Sequence, residues 1–86
     1  MEIELNDRNQ PLSMEEGLIL LFLQKHHSGT HFMAMREYFL NTLPQSKELF
    51  LPTLTALSMK RRTTSRLHKS ALWMDITDEG TAALNK

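Results

Sequence analysis

Basic side chains are concentrated in the segment KRRTTSRLHK, which runs from Lys60 to Lys69. It contains five lysine and arginine residues and no acidic residue. Lysine and arginine bind phosphate groups, and on a nucleic acid such contacts supply affinity but carry little sequence information. The segment therefore predicts either a contact with an anionic partner or a solvated, charged loop.

The distribution of charge also distinguishes the two parts of the chain. The 86 residues have a net charge of zero, but residues 1–59 carry four basic and seven acidic side chains, a balance of −3. Residues 60–86 carry six basic and three acidic side chains, a balance of +3. This asymmetry favours an anionic partner at the C-terminal part of the molecule.

Metal binding and catalysis have little support in the sequence. The candidate metal ligands are His26, His27 and His31. No carboxylate or thiolate is spaced to complete a site with them, so their proximity is interpreted as chance. There is no cysteine, glycine-rich phosphate loop or nucleophile motif, and the acidic pairs at 15–16 and 78–79 fit helix N-termini. We expect no metal, no cofactor and no enzymatic activity.

The length of the chain predicts one domain, with residues 1–12 as an N-terminal arm or short strand and residues 13–86 as the folded unit. The longest apolar run, LILLFL, is far shorter than the ~20 residues that span a bilayer. The N-terminus MEIELNDRNQ lacks the basic start of a secretory signal. We therefore expect a cytoplasmic protein with no membrane partner.

The first half of the domain is predicted to be helical. Ser13 and Glu16 have the spacing of a capping box, which predicts a helix over residues 14–27. The segment GTHFM is predicted to be extended, and AMREYFLNTL, residues 34–43, is predicted to form a second helix. Pro44 ends this helix, and PQSKE is predicted to form a turn.

A third helix is expected within residues 46–60, SKELFLPTLTALSMK. Pro52 is disfavoured inside a helix, so we favour a start at Phe50 or Leu51, which places the proline in the first turn. Helical spacing then puts three apolar residues on one face toward the core. They are Phe50, Leu54 and Leu57.

A β-hairpin and a capped helix are predicted to complete the chain. RTTSRL and ALWMDI have strand composition and are separated by His68-Lys69-Ser70. Leu72, Met74 and Ile76 alternate with Trp73, so one face is expected to be buried, with Trp73 beside Arg66 on the other. Thr77 is predicted to cap the last helix, and Gly80 to mark a close approach to another backbone.

The order of these elements resembles a winged helix-turn-helix, and locally it resembles MarR-like and PadR-like transcription regulators. Their motif LT-[DE]-[DE]-G, followed by a helix, is matched by Ile76-Thr77-Asp78-Glu79-Gly80 and the residues after it. LPTLTAL, residues 51–57, is similar to the PadR-type recognition helix. Those families usually have a glycine and an aliphatic pair before the wing, where this chain has Lys60-Arg61-Arg62, and a glycine at the wing tip.

The resemblance implies an α+β, mainly helical fold over roughly residues 13–86, with three helices, a β-hairpin wing and a short C-terminal helix. It also implies a DNA-binding transcriptional regulator, with the third helix in the major groove and the wing on phosphates. The residues expected to contact double-stranded DNA are Lys47, Thr53, Ala56, Lys60, Arg62, Arg66 and Lys69. The broad apolar face of the first helix, or the N-terminal arm, is compatible with a homodimer.

The outer face of the third helix leaves an alternative function open. Opposite Leu54, helical geometry places Leu49, Pro52, Thr53, Ala56, Met59 and Lys60. Direct base readout mainly uses Arg, Lys, Asn and Gln, whereas an apolar face is typical of protein docking. The alternative is a winged-helix interaction module that binds a protein partner at this face without contacting DNA. A continuous surface joining the predicted cations to the helix would favour DNA.

Overall fold

The computed structural model describes residues 12–26 and 29–85. In chain order its elements are α1 (Met14–Lys25), β1 (Thr30–His31), α2 (Phe32–Thr42), a 3-10 helix (Pro44–Leu49), α3 (Phe50–Met59), β2 (Thr63–His68), β3 (Ala71–Ile76) and α4 (Asp78–Leu84). The strands form one antiparallel sheet in the order β1-β3-β2. The fold is α+β and mainly helical, and it is compatible with a winged helix.

Helix α1 begins at the predicted capping box. The Ser13 hydroxyl accepts a hydrogen bond from the Glu16 amide at 3.1 Å, and the Glu16 carboxylate accepts one from the Ser13 amide at 3.0 Å. The helix ends at Lys25, slightly before the predicted end. The arm predicted for residues 1–12 lies outside the described residues, except for Leu12, which packs against the core.

The second helix and the turn after it are longer and more regular than predicted. Helix α2 begins at Phe32 because the His31 side chain caps it by accepting from the Met33 amide. The segment predicted as a turn forms the 3-10 helix, whose Ser46 hydroxyl donates to the Glu15 carboxylate at 3.0 Å. This bond ties the connection between α2 and α3 to the first turn of α1.

Helix α3 begins at Phe50, so Pro52 lies in its first turn as predicted. Its predicted core residues Phe50, Leu54 and Leu57 are buried. The Phe50 ring lies 5.2 Å from that of Phe39 in α2, so the two helices share the aromatic part of the core.

The hairpin is paired throughout, from Thr63 opposite Ile76 to His68 opposite Ala71. Only Lys69 and Ser70 form the loop, one residue fewer than predicted, because His68 belongs to β2. Met74 is buried and its neighbours on that face are half-buried, and Trp73 lies opposite Arg66. The predicted place of Trp73 beside Arg66 is confirmed, whereas the face predicted to be buried is fully buried only at Met74.

A hydrogen-bonded corner joins the end of α3 to the start of α4. The Thr77 amide donates to the Arg62 carbonyl oxygen at 3.1 Å, and the Thr77 hydroxyl donates to the Arg61 carbonyl oxygen at 2.6 Å. The same hydroxyl accepts from the Gly80 amide at 3.0 Å, which confirms Thr77 as the cap of α4. We call Arg61, Arg62, Thr77 and Gly80 the α3–α4 corner.

Gly80 is required at this corner, as the sequence predicted, because a side-chain carbon there would collide with the Arg62 carbonyl oxygen. We expect Gly80→Ala to lower the free energy of unfolding by roughly 1–3 kcal/mol, the usual cost of overpacking. Gly17→Ala is the matched control, since a carbon there meets no atom within 4 Å. It should stabilise α1 by up to about 1 kcal/mol. Urea unfolding measures both changes. A Gly80→Ala variant with an unchanged free energy of unfolding would contradict the close approach.

Candidate functional site

A groove of about 350 Å³ lies between α3 and the hairpin. Its walls are Leu54, Thr55, Ser58 and Met59 of α3 and Ser65, Leu72 and Met74 of the hairpin. No charged side chain lines it, and its side-chain polar groups are the hydroxyls of Thr55, Ser58 and Ser65. The Ser58 hydroxyl lies 3.2 Å from that of Thr63 at the base of the groove.

The groove exists because α3 and β2 separate toward the tip of the hairpin. On the face of β2 that points to α3, Thr63 is buried whereas Ser65 and Leu67 are exposed. Ser65 is paired with Met74 but is too small to fill the space above it. The consequence is an open channel walled by one turn of helix and the upper part of the hairpin.

Large apolar side chains surround this groove. Met59 is 79% exposed, Leu67 is 76% exposed and Leu51, one helical turn before Thr55, is 62% exposed. Leu67 is paired with Leu72, which lines the groove. We define the α3–hairpin surface as Leu51, Thr55, Ser58, Met59, Ser65, Leu67 and Leu72. Large exposed apolar side chains near a groove are characteristic of binding sites for proteins or other apolar partners.

Two of the predicted DNA contacts are turned away from this surface. Lys60 is half-buried on the flank of α3 beside α1, with its Nζ 3.7 Å from the Glu16 carboxylate. Arg62, also predicted to contact phosphate, is only 1% exposed, so its side chain lies in the interior of the fold. The α3–α4 corner fixes its backbone inside the fold, and Arg62 and the buried Thr63 occupy interior positions as an aliphatic pair would.

Arg66 and Lys69 lie elsewhere on the hairpin. Arg66 is exposed on the hairpin face opposite α3, with its Nε 3.5 Å from the Asp75 carboxylate. Gly29, at φ 101°, leaves room for this pair, since a side-chain carbon there would lie 2.8 Å from Arg66 Nη2. Lys69 is exposed at the hairpin tip. The predicted cations therefore do not form one continuous surface with the outer face of α3.

The remaining predicted contacts are also dispersed. Lys47 is exposed in the 3-10 helix, whereas Thr53 and Ala56 are half-buried. At about 100° per residue, Thr53 and Ala56 lie on the same flank of α3 as Lys60, which is the flank beside α1. The exposed polar residues of α3 are instead Thr55 and Ser58, which face the hairpin.

Sequence reasoning missed Leu51, Thr55, Ser58 and Leu67. The period of two in β2 carried a usable signal, because Thr63, Ser65 and Leu67 must share a face with the apolar side of β3. The sequence of α3 carries no signal for the position of α1. The position of α1 nevertheless decides which flank of α3 is covered. Arg61, which follows Lys60 at the end of α3, is exposed in the left-handed backbone conformation, at φ 61°.

Other kinds of site receive no support from residues 12–26 and 29–85. In that part of the chain no group of three or more potential ligand side chains is placed to hold a metal ion. No helix there is long and apolar enough to cross a membrane. Comparison of the chain with protein-family models, curated proteins and solved structures gives no match. The geometry of the α3–hairpin surface is therefore the basis for a functional proposal.

The tip of the hairpin is conformationally strained. Lys69 and Ser70 have φ 52° and 66°, as a two-residue type I′ turn requires, yet neither is glycine. We expect Ser70→Gly to raise the free energy of unfolding by about 1 kcal/mol, because glycine adopts this conformation without steric cost. Ser65→Gly, in the adjoining strand, should instead lower it by roughly 0.5–1 kcal/mol. Urea unfolding measures both, and equal effects would argue against a strained tip.

Proposed function

We propose that this chain is a winged-helix protein-interaction module that binds a partner protein through the α3–hairpin surface. The observation that carries the proposal is a groove that no charged side chain lines and that the well-exposed Met59 borders, with the exposed Leu51 one helical turn before Thr55 and the exposed Leu67 paired with Leu72. A helix face that reads DNA would present hydrogen-bond donors such as Arg, Asn or Gln instead. The partner we propose is an amphipathic segment whose apolar side enters the groove.

The winged-helix part of the proposal is supported by the element order and by the resemblance to MarR-like and PadR-like proteins. Arg61 has the left-handed backbone of a glycine position, at the place where those families usually have a glycine. The buried Arg62 and Thr63 follow it, where the families have an aliphatic pair. The chain thus departs from the family pattern in residue type while its backbone is compatible with that pattern.

The expected affinity is modest. Burying a leucine or methionine side chain fully contributes about 1.5–3 kcal/mol, so three partly exposed ones supply on the order of 3–7 kcal/mol. Association costs several kcal/mol, which the rest of the contact has to offset. We therefore expect a dissociation constant in the micromolar range or weaker.

DNA binding is the second candidate, and the exposed cations favour it. Lys47, Arg61, Arg66 and Lys69 are exposed, and no acidic residue occurs between 60 and 74. An exposed ion pair contributes at most about 1 kcal/mol, so a phosphate can compete with Asp75 for Arg66. These cations would give affinity with little dependence on base sequence.

The docking proposal is tested by selecting peptides from a display library on the wild-type protein alone and then measuring their affinity for Met59→Glu/Leu67→Glu. We expect amphipathic peptides whose dissociation constant rises by about tenfold or more in that variant, because a carboxylate is costly to bury unpaired. Met33→Glu is the matched control: Met33 is exposed on α2, away from this surface, and the change should leave affinity unaltered. Selected peptides that bind all three proteins equally would refute the proposal.

The DNA candidate is tested by fluorescence anisotropy with a mixed-sequence duplex between about 50 and 200 mM salt. If the chain is a protein-docking module, we expect no binding tighter than about 10⁻⁴ M at the upper salt concentration. If it binds DNA, Arg66→Ala/Lys69→Ala should reduce the salt slope by about two, one for each lost phosphate contact. Arg36→Ala, which removes an exposed arginine from α2, is the control and should change neither result.

A further inference from the structure

Helix α1 is apolar on two opposite sides. Ile19, Leu20 and Leu23 face the core and are almost fully buried. On the other side Met14 is 70% exposed and Leu21 is 48% exposed, with the half-buried Leu18 between them. These three residues lie at positions i, i+4 and i+7, so they form one stripe along the helix. The core already covers one side of α1, and this stripe is a second apolar side.

The stripe extends toward α2 through an aromatic pair. The rings of Phe22 and Tyr38 are stacked with their centroids 4.6 Å apart, and Tyr38 is exposed. We call Met14, Leu18, Leu21, Phe22 and Tyr38 the α1 outer stripe. Gly17 lies beside it, and no atom lies within 4 Å of the position that a side-chain carbon would take there. A second helix can therefore approach the backbone of α1 closely.

The charges at the two ends of α1 indicate which partner fits. The half-buried Glu15 lies in the first turn on the flank of the stripe, where its carboxylate accepts from the Ser46 hydroxyl. The exposed Lys25 lies in the last turn, at the end of the line through Met14, Leu18 and Leu21. A second copy of α1 in antiparallel orientation brings Lys25 of each copy next to Glu15 of the other. A parallel copy would instead place like charges together, which is unfavourable. The stripe is thus complementary in charge to itself, as a two-fold contact requires.

We propose that two copies of this chain pair through the α1 outer stripe, with their α1 helices antiparallel about a two-fold axis. The inference is independent of the proposed function, because the stripe lies on the side of α1 that faces away from the core and from α3. A dimer of this kind leaves both α3–hairpin surfaces open, so the assembled protein offers two docking sites to its partner. The contact rests on one helix of 12 residues, about 18 Å long, so pairing is weak and concentration-dependent.

The test is sedimentation equilibrium over protein concentrations from about 10 µM to 1 mM, a range suited to a small interface. We expect the mass to rise with concentration from that of the 10.0 kDa monomer toward the dimer. Leu21→Lys should weaken pairing by about tenfold or more, because it places a charge in the apolar contact. Met33→Lys and Met59→Lys are matched controls on other exposed surfaces and should leave it unchanged.

A charge reversal supplies a second test that does not depend on the apolar residues. Lys25→Glu should weaken pairing several-fold by opposing Glu15 of the other copy, whereas Lys25→Arg, which keeps the positive charge and leaves the Glu15–Ser46 hydrogen bond intact, should leave pairing unchanged. Far-ultraviolet circular dichroism and thermal unfolding verify that each variant is folded. A mass that stays monomeric at every concentration would overturn the proposal. A dimer that Met59→Lys disrupts and Leu21→Lys does not would overturn it equally, since it would place the contact on the α3–hairpin surface.

Discussion

The hydrogen bonds of Thr77 are the constraint on which the arrangement of the hairpin depends. Its hydroxyl donates a hydrogen bond to the Arg61 carbonyl oxygen, and its amide donates one to the Arg62 carbonyl oxygen. The same hydroxyl caps α4 by accepting a hydrogen bond from the Gly80 amide. One residue therefore connects the end of α3, the start of β2, the end of β3 and the start of α4. Because the base of the hairpin is fixed against α3 in this way, the two elements diverge from a defined point and leave the groove between them.

The features that sequence reasoning predicted correctly are those set by residues close to one another in the chain. The Ser13 cap, the Thr77 cap and the place of Pro52 depend on neighbours within three or four positions. The burial of Arg62 could not be predicted from neighbours in the chain. A basic side chain is expected to be exposed, and its burial follows from the left-handed turn at Arg61 and from contacts with elements distant in sequence.

The basic side chains between Lys60 and Lys69 do not form one continuous surface in the folded protein. Lys60 lies beside the Glu16 carboxylate, which caps α1 with one oxygen and reaches the lysine with the other. Arg66 is on the face of the hairpin that points away from α3, because strand side chains alternate. The basic residues that are close together in the sequence thus lie on different sides of the molecule. The apolar residues near the groove come from α3, β2 and β3, so they cannot be recognised as a group from the sequence.

The short strand β1 has a consequence for how the molecule assembles. Thr30 and His31 pair with Met74 and Trp73, which are far away in the chain, whereas β2 and β3 are joined by a loop of two residues. A hairpin of this kind closes within about 1–10 µs, but the β1 ladder requires the chain through α2 and α3 to be gathered first. We therefore expect β1 to join the sheet after the hairpin has formed. The His31 and Trp73 rings, whose centroids are 5.6 Å apart in an edge contact, come together only when β1 has paired with β3.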